Sequence, residues 1–113
     1  MSKPPASWKS FERRVAKYIG GKRRGAYVSD GKGGKTDIIK PGFAVECKLI
    51  KQTPWSVLLD ACRQAERNAE SELDIPIAIV KKNGRGILDK DSLVIMRLET
   101  FRDHFIGDNN AIR

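Results

Sequence analysis

The stretch from Thr36 to Lys48 constrains the fold most, because a turn signal stands between two strand-like flanks. It reads T-D-I-I-K-P-G-F-A-V-E-C-K, with Pro41-Gly42 at its centre. Proline presets φ at the first central position of a turn, and glycine accepts a positive φ at the second. The flanks are rich in β-branched and aromatic residues, which favour strands. The stretch is therefore predicted to form an antiparallel hairpin.

A two-residue loop at Pro41-Gly42 sets the register of this hairpin. Four cross-strand pairs follow: Lys40 with Phe43, Ile39 with Ala44, Ile38 with Val45, and Asp37 with Glu46. Directly opposed residues share a face, with Cβ atoms about 5 Å apart. Lys48 lies on the face of Glu46, roughly 7 Å further along the strand. A slip of one residue would turn one strand over and separate Asp37 from Glu46. Glu46 and Lys48 would still share a face, because they lie two residues apart on the same strand.

The two faces of the hairpin predict different roles. Phe43, Val45, Cys47 and Leu49 form an apolar row that suits a core. On the other face, opposed carboxylates repel each other unless a cation lies between them. Mg²⁺ is commonly bound by one or two carboxylates together with waters and substrate phosphates. The alternative is that Asp37 caps a strand and that Glu46 and Lys48 form a surface ion pair.

Length and composition set the limits of the interpretation. The chain of 113 residues is predicted to be a single domain, with a flexible arm at 1–6 and a tail at 107–113. No apolar run approaches the roughly 20 residues of a membrane span, and residues 1–5 do not resemble a signal peptide. Cys47 and Cys62 are predicted to be small core residues of a reducing compartment, which suggests the cytoplasm.

The charge distribution predicts a polyanionic partner. The net charge is +8 and the isoelectric point is about 9.8. Residues 3–24 hold eight Lys and Arg residues against one acid, Glu12, whereas residues 60–74 are mostly acidic. Uniform solubilising charge would not be distributed in this way. Binding to a membrane surface is the other reading of a basic segment.

A helix is predicted from Trp8 to Ile19, capped by Ser7 and stopped by Gly20-Gly21. Its apolar stripe consists of Trp8, Phe11, Val15, Tyr18 and Ile19. Glu12 borders this stripe, so two roles stay open for it. It forms an intrahelical salt bridge with Lys9 or Lys17, or it binds a metal ion or a water.

The remaining elements complete an α/β pattern. A strand is predicted near residues 26–28, followed by a basic glycine-rich loop at 29–35 that is either a substrate-contacting loop or an ordinary connection. A second helix runs from a Thr53 N-cap and Pro54 to about Glu70, with Trp55, Leu58, Leu59, Cys62, Ala65 and Ala69 buried. Strands at 75–80 and 92–96 and a helix at 98–105 follow. The order α-β-β-β-α-β-β-α indicates helices around one mixed sheet.

The chain resembles the PD-(D/E)xK nuclease superfamily, and within it small phage and archaeal Holliday junction resolvases and related phage endonucleases. The resemblance covers residues 8–96. The residues that carry it are Trp8-Lys9-x-x-Glu12-Arg13-x-x-Ala16, Gly20-Gly21-Lys22-Arg23, Thr36-Asp37-Ile38-Ile39, Val45-Glu46-Cys47-Lys48 and Gln64-Ala65. Thr36 stands where the motif nominally has proline. The resemblance implies a restriction-endonuclease-like mixed sheet flanked by helices.

The resemblance also implies an activity: Mg²⁺-dependent hydrolysis of DNA phosphodiesters, with Mn²⁺ able to substitute, in DNA recombination and repair. Asp37, Glu46, the backbone carbonyl of Cys47 and Glu12 would hold the metal. Lys48 would activate water and stabilise negative charge, and Gln64 would fix the scissile phosphate or a water on the metal ion. No organic cofactor is implied. Candidate phosphate contacts are Lys9, Arg13, Lys22, Arg23, Arg24, Lys32, Lys35 and Lys51.

Three functions are therefore compared. The leading one is a structure-selective endonuclease that cuts four-way junctions, for which two symmetric cuts favour a homodimer. The second is a nicking, repair or restriction-like nuclease with another DNA preference. The third is a non-catalytic nucleic-acid-binding protein of the same fold, which would have no need for the pair Asp37 and Glu46 facing a polyanion.

Overall fold

The computed structural model describes residues 7–24, 36–52 and 54–107. The helices of this part of the chain are α1 (Ser7–Ile19), α2 (Trp55–Asn68) and α3 (Leu98–Phe101). The strands are β1 (Lys22–Arg23), β2 (Ile38–Lys40), β3 (Phe43–Ile50), β4 (Ile75–Lys82) and β5 (Leu93–Ile95). A 3₁₀ turn, Asp89–Asp91, precedes β5, and a π-helical turn, Arg102–Ile106, continues α3. No helix in these ranges is long and apolar enough to cross a membrane.

The described strands form one mixed sheet of five strands in the order β1-β2-β3-β4-β5. β3 and β4 are parallel, and the other neighbouring strands are antiparallel. A parallel pair requires a crossover connection, and α2 provides it between β3 and β4. The predicted mixed α/β fold and its order of elements are confirmed.

The central hairpin has the predicted register over three pairs. These are Lys40 with Phe43, Ile39 with Ala44, and Ile38 with Val45. Gly42 has φ of +88°, which the second central position of a type II turn requires and which glycine adopts without steric cost. Because register decides which face each side chain occupies, this match puts Val45 and Cys47 on one side of the sheet and Glu46 and Lys48 on the other.

Helix α1 turns directly into the edge strand β1. Gly20 has φ of +76°, and the N–H of Gly21 donates to the carbonyl of Ala16 at 2.8 Å, as in a Schellman motif. The strand predicted near residues 26–28 lies outside the described residues. The edge of the described sheet is formed by β1, which begins two positions after Gly20.

The helices cover opposite faces of the sheet. Helix α1 packs on the face of Ile38, Val45, Cys47, Ile77 and Ile79, and α2 packs through Ala61 on the face of Ala78 and Val80. The core residues of α1 are Phe11, Val15 and Ala16. β4 is buried on both sides from Pro76 to Val80, as predicted. Cys47 and Cys62 are buried and free, which confirms them as core residues.

Two aromatic residues predicted in the apolar stripe of α1 are exposed instead. Tyr18 is 73% exposed and Trp8 is 51% exposed. The buried arc of the helix passes through Glu12 and Ala16, which turns Tyr18 away from the sheet. Trp8 lies one turn before the core at the start of the helix, where Lys9 and Arg23 approach its ring. The prediction was wrong for both residues, because the spacing of apolar residues along a helix does not show which part of the helix surface the sheet covers.

Helix α2 begins one residue later than predicted. Pro54 is its N-cap, with extended backbone at φ −66° and ψ 143°, and the predicted cap Thr53 lies outside the described residues. Cys62 and Ala65 are buried as predicted. Trp55 is 76% exposed, so its predicted burial was wrong. It is the first residue of the helix and stands at the open mouth of a cavity instead of over the sheet.

The packing of α1 gives a direct test. Phe11→Ala removes a side chain that is 0% exposed, and we expect the free energy of unfolding to fall by about 3–5 kcal/mol. Tyr18→Ala is the matched control on the same helix, with an expected change within about 0.5 kcal/mol. Urea unfolding of both variants measures the difference. Equal losses would contradict the orientation of α1.

Candidate active site

Glu46 is the buried centre of the site. It lies on β3, the third strand of the sheet, and is only 1% exposed. Its cross-strand partner on β4 is Ala78, on the face that α2 covers. Nδ2 of Asn68, the last residue of α2, donates to Glu46 Oε2 at 3.2 Å. The other oxygen, Oε1, has no hydrogen-bond partner among the described residues, which is costly for a carboxylate unless a proton or a cation reaches it.

Asp37 meets Glu46 through an irregular end of the hairpin. The regular ladder stops at Ile38 and Val45, and the N–H of Asp37 donates to the carbonyl of Val45 at 3.0 Å. The Asp37 side chain continues the pairing, since its Oδ2 accepts the N–H of Cys47 at 2.8 Å. Asp37 and Glu46 therefore do not pair through their backbones as predicted. The Asp37 carboxylate instead accepts the N–H of Cys47, in place of the next backbone hydrogen bond of the ladder, and this brings its side chain beside Glu46.

The surroundings of Glu46 shift its protonation. The pKa of Glu46 is raised from 4.5 to about 7. Burial is the largest cause, and the negative charge of Asp37 adds to it. The hydrogen bond from Asn68 and the charge of Lys48 lower this pKa. Near neutral pH the pair therefore gains from any proton or cation placed between its oxygens.

Glu12 faces the same region from α1, but it already has a cationic partner. It is 5% exposed, and its Oε1 accepts from Arg23 Nε at 2.8 Å. The intrahelical pair with Lys9 or Lys17 was wrong, because the partner comes from β1 across the tight turn. Burial, and then the charge of Asp37, raise the pKa of Glu12, while the hydrogen bond and charge of Arg23 lower it.

Lys48 and Gln64 lie next along the same face. Lys48 lies two residues after Glu46 on β3 and is paired with Val80 on β4. It makes no ion pair within the described ranges. Helix α2 runs back along β3, so Gln64, one turn before Asn68, comes close to the position of Lys48. Gln64 is half-buried and makes no hydrogen bond to a described residue.

Asn68 is the site residue that sequence reasoning did not select. Asn68 is four residues after Gln64 and therefore lies on the same side of α2. That spacing was the available signal. The motif directed attention to Gln64, whereas the hydrogen bond to Glu46 is made by Asn68.

The residues fit a small magnesium site made of two carboxylates. Within the described residues no group of three or more His, Cys, Asp and Glu side chains is arranged to hold a metal ion. Mg²⁺ does not require such a group, since waters and substrate phosphates complete its shell. Asp37 and Glu46 provide two neighbouring carboxylates, and Oε1 of Glu46 has no donor in the part of the chain that the structure describes.

The other two predicted ligands fit less directly. Burial raises the pKa of the Cys47 thiol, so only the backbone carbonyl of this residue suits a hard cation. The amide of Cys47 is held beside Asp37, which keeps its peptide unit in the site. Glu12 is available to a metal ion only when Arg23 releases it.

The predicted phosphate contacts fall into three groups. Those that are exposed are Lys9, Arg13, Lys22 and Lys51. Arg23 and Arg24 are held inside the fold: Arg23 by Glu12, and Arg24 by the carbonyl of Thr36 at 2.8 Å with its side chain 11% exposed. Lys32 and Lys35 lie outside the described residues. The exposed group stays the better candidate for direct contact with a polyanion.

Comparison of the chain with protein-family models, with curated proteins and with solved structures finds no match. The resemblance to PD-(D/E)xK nucleases thus stays a prediction from the ordered motif. The geometry of Asp37, Glu46 and Lys48 is therefore the basis on which a function is inferred.

The raised pKa of Glu46 predicts a pH-dependent stability. The folded protein favours the protonated form, so the stabilisation is complete below about pH 4.5 and is lost as the pH rises through about 7. We expect a loss on the order of 2–3 kcal/mol over this range in EDTA. Glu46→Gln, which mimics the protonated form, should flatten most of this decline. Urea unfolding at a series of pH values measures it, and an unchanged slope in the variant would contradict the assignment.

Asn68 should limit the same decline. Asn68→Ala removes the donor that lowers the pKa of Glu46, so we expect the loss of stability to extend to higher pH and the free energy of unfolding at pH 8 to fall by about 1–3 kcal/mol. Arg67→Ala, at the exposed neighbouring position of α2, is the matched control and should leave the pH profile unchanged. Identical profiles for both variants would exclude a role of Asn68 at Glu46.

Proposed function

We propose that this protein is a metal-dependent DNA endonuclease whose active site is built around Asp37, Glu46 and Lys48. The observation that carries the proposal is the buried oxygen of Glu46, which has no donor among the described residues and lies beside a second carboxylate on a basic protein. Two carboxyl groups kept together in the interior are expensive to maintain. A site that binds a divalent cation compensates for this cost.

Asp37 and Glu46 would hold Mg²⁺, with the carbonyl of Cys47 as a further ligand. When bound, the ion would supply Lewis-acid polarisation of the phosphodiester and would favour ionisation of a water. Asn68 keeps Oε2 of Glu46 in place and so leaves Oε1 for the cation. The hydrogen bond from the Cys47 amide does the same for Asp37. Both carboxylates are therefore oriented before the substrate arrives.

Lys48 would stabilise the negative charge that develops on the phosphate. It lies on the face of Glu46 and has no acidic ion-pair partner among the described residues, so its ammonium group is available to the substrate. A preorganised cation of this kind contributes most where water is excluded. Gln64, beside it on α2, would position the scissile phosphate. Glu12 would join the site when Arg23 transfers from its carboxylate to a DNA phosphate.

The proposal extends to the DNA structure that the protein recognises. The net charge of +8 suits binding to the phosphate backbone, which positions a duplex without reading its sequence. Together with the motif resemblance, this favours structure-selective cleavage, with a four-way junction as the leading substrate and a homodimer as the assembly. The compartment we propose is the cytoplasm of a bacterial or phage-infected cell.

A substrate panel tests the proposal. Labelled four-way junctions, forks and linear duplexes are incubated with the protein in Mg²⁺, and initial cleavage rates are measured. We expect preferential cutting of the junction, complete inhibition by EDTA, and a loss of at least about 100-fold in Asp37→Ala and Lys48→Ala. Asp60→Ala and Lys17→Ala alter exposed residues of the same types on the helices and should retain the rate of the parent.

Each failure has a distinct meaning. Cutting in EDTA, or full activity of Asp37→Ala, would disprove the mechanism. Equal cutting of junction and linear duplex would reject junction resolution and leave the nuclease. Tight binding of DNA without any cutting would instead favour the non-catalytic alternative. A readout besides activity is the melting temperature, which Mg²⁺ should raise in the parent and not in Asp37→Ala.

A further inference from the structure

A single carboxylate fixes the connection between β4 and β5. Asp89 Oδ2 accepts from Arg14 Nε of α1 at 2.7 Å, and its Oδ1 accepts from Lys81 Nζ of β4 at 2.7 Å. Lys81 also lies over the ring of Phe11, 5.8 Å from its centre. These contacts lower the pKa of Asp89, so the carboxylate stays charged at neutral pH. The connection is thereby held against α1, and the charges of Arg14 and Lys81 are used within the fold.

The two cations that follow Lys81 are left without such partners. Lys82 ends β4 and Arg85 lies in the connection, and both are exposed. Neither makes an ion pair or hydrogen bond with any residue in the described ranges. This contrasts with Lys81, whose side chain is 10% exposed. Lys81 is neutralised by Asp89, whereas Lys82 and Arg85 have no ion-pair partner among the described residues. The charges of Lys82 and Arg85 therefore face solvent at this end of the sheet.

The strand register connects this charge with the proposed active site. Glu46 pairs with Ala78 and Ile50 pairs with Lys82, so Lys82 lies on the face of the sheet that carries Glu46. The N–H of Asn83 donates to the carbonyl of Ile50 at 2.8 Å, which keeps the start of the connection beside the exposed Lys51. Lys82 and Lys51 therefore lie at the carboxyl ends of the parallel strands β3 and β4, where ligands of open α/β sheets commonly bind, and Arg85 follows three positions after Lys82 in the connection.

The spacing suits the backbone of a nucleic acid. The four residue-to-residue steps from Glu46 to Ile50 span about 13 Å along β3. This length corresponds to the axial rise of about four base pairs of duplex. A duplex with its scissile phosphate at Glu46 and Lys48 would thus bring a phosphate of the same flank within reach of the long side chains of Lys82 and Arg85.

We propose that Lys82 and Arg85, together with Lys51, form a second phosphate-binding surface that holds one arm of the DNA substrate beside the active site. The proposal rests on the proposed function, since it uses the position of the scissile phosphate. The contacts involve phosphates alone, so they set affinity and register and do not read base sequence. Exposed charge that serves only solubility would give no preference for this turn over other exposed arginines and lysines.

The salt dependence of binding distinguishes these possibilities. Affinities of the parent and of Lys82→Ala/Arg85→Ala for labelled duplex and four-way junction are measured in EDTA, so that no cutting occurs, at a series of salt concentrations. Each phosphate contact contributes about 0.9 to the slope of log Kd against log salt. We expect the double variant to lose about 2 from this slope and to bind about tenfold more weakly at about 0.1 M salt.

Two matched variants complete the experiment. Arg63→Ala/Arg67→Ala removes the same charge from the exposed side of α2 and should leave the slope of the parent unchanged. Lys82→Arg/Arg85→Lys keeps both charges and should also retain it, which separates charge from folding. An equal loss of slope in the α2 variant, or an unchanged slope in Lys82→Ala/Arg85→Ala, would overturn the second surface alone. Absence of DNA binding by the parent would overturn the proposed function as well.

Discussion

The burial of the Glu46 carboxylate between β3 and α2 is the constraint on which the surrounding structure depends. The side chain is 1% exposed, and an uncompensated charge in that position costs on the order of several kcal/mol. Asp37, brought to it by the hairpin, increases the repulsion. The end of α2 therefore has to present a donor, which Asn68 does, and β3 has to present a cation nearby, which Lys48 does. One oxygen is still left without a donor among the described residues.

The rigidity of the site follows from the apolar reverse face of the same strand. Val45 and Cys47 pack against Phe11 and its neighbours on α1, while Glu46 and Lys48 point to the other side. A functional group carried by a packed strand is held more accurately than one carried by a loop. The hairpin thus performs two tasks at once, because alternation along a strand separates core residues from polar ones with every step.

Acidic residues organise the positive charge of the protein. Glu12 holds Arg23, Asp89 holds Arg14 and Lys81, and Glu66 holds Arg97 while also accepting from Thr100. These pairs connect separate elements of the fold, and they withdraw some cations from solvent. The exposed Lys and Arg residues that are not paired in this way carry the excess charge outward, where a polyanion can meet it.

Much of the fold was predictable because it depends on local signals. The turn at Pro41-Gly42 and the alternation around it were sufficient for the register of β2 and β3, and hence for the shared face of Glu46 and Lys48. The glycines after Ile19 were sufficient for the end of α1. Each of these signals acts over a few residues, and the backbone has few ways to satisfy them. The order of elements then followed from the same patterns.

Tertiary structure alone decided which polar groups meet and which aromatic residues stay outside. The pairs of Glu12 with Arg23 and of Glu46 with Asn68 join separate elements, so no spacing along the chain specifies them. Tyr18 and Trp55 are aromatic residues at helical spacing, yet both are exposed, because Tyr18 lies off the buried arc of α1 and Trp55 is the first residue of α2. Sequence by itself determined the hairpin that brings the two carboxylates together. Packing determined their burial, and with it the chemistry they can perform.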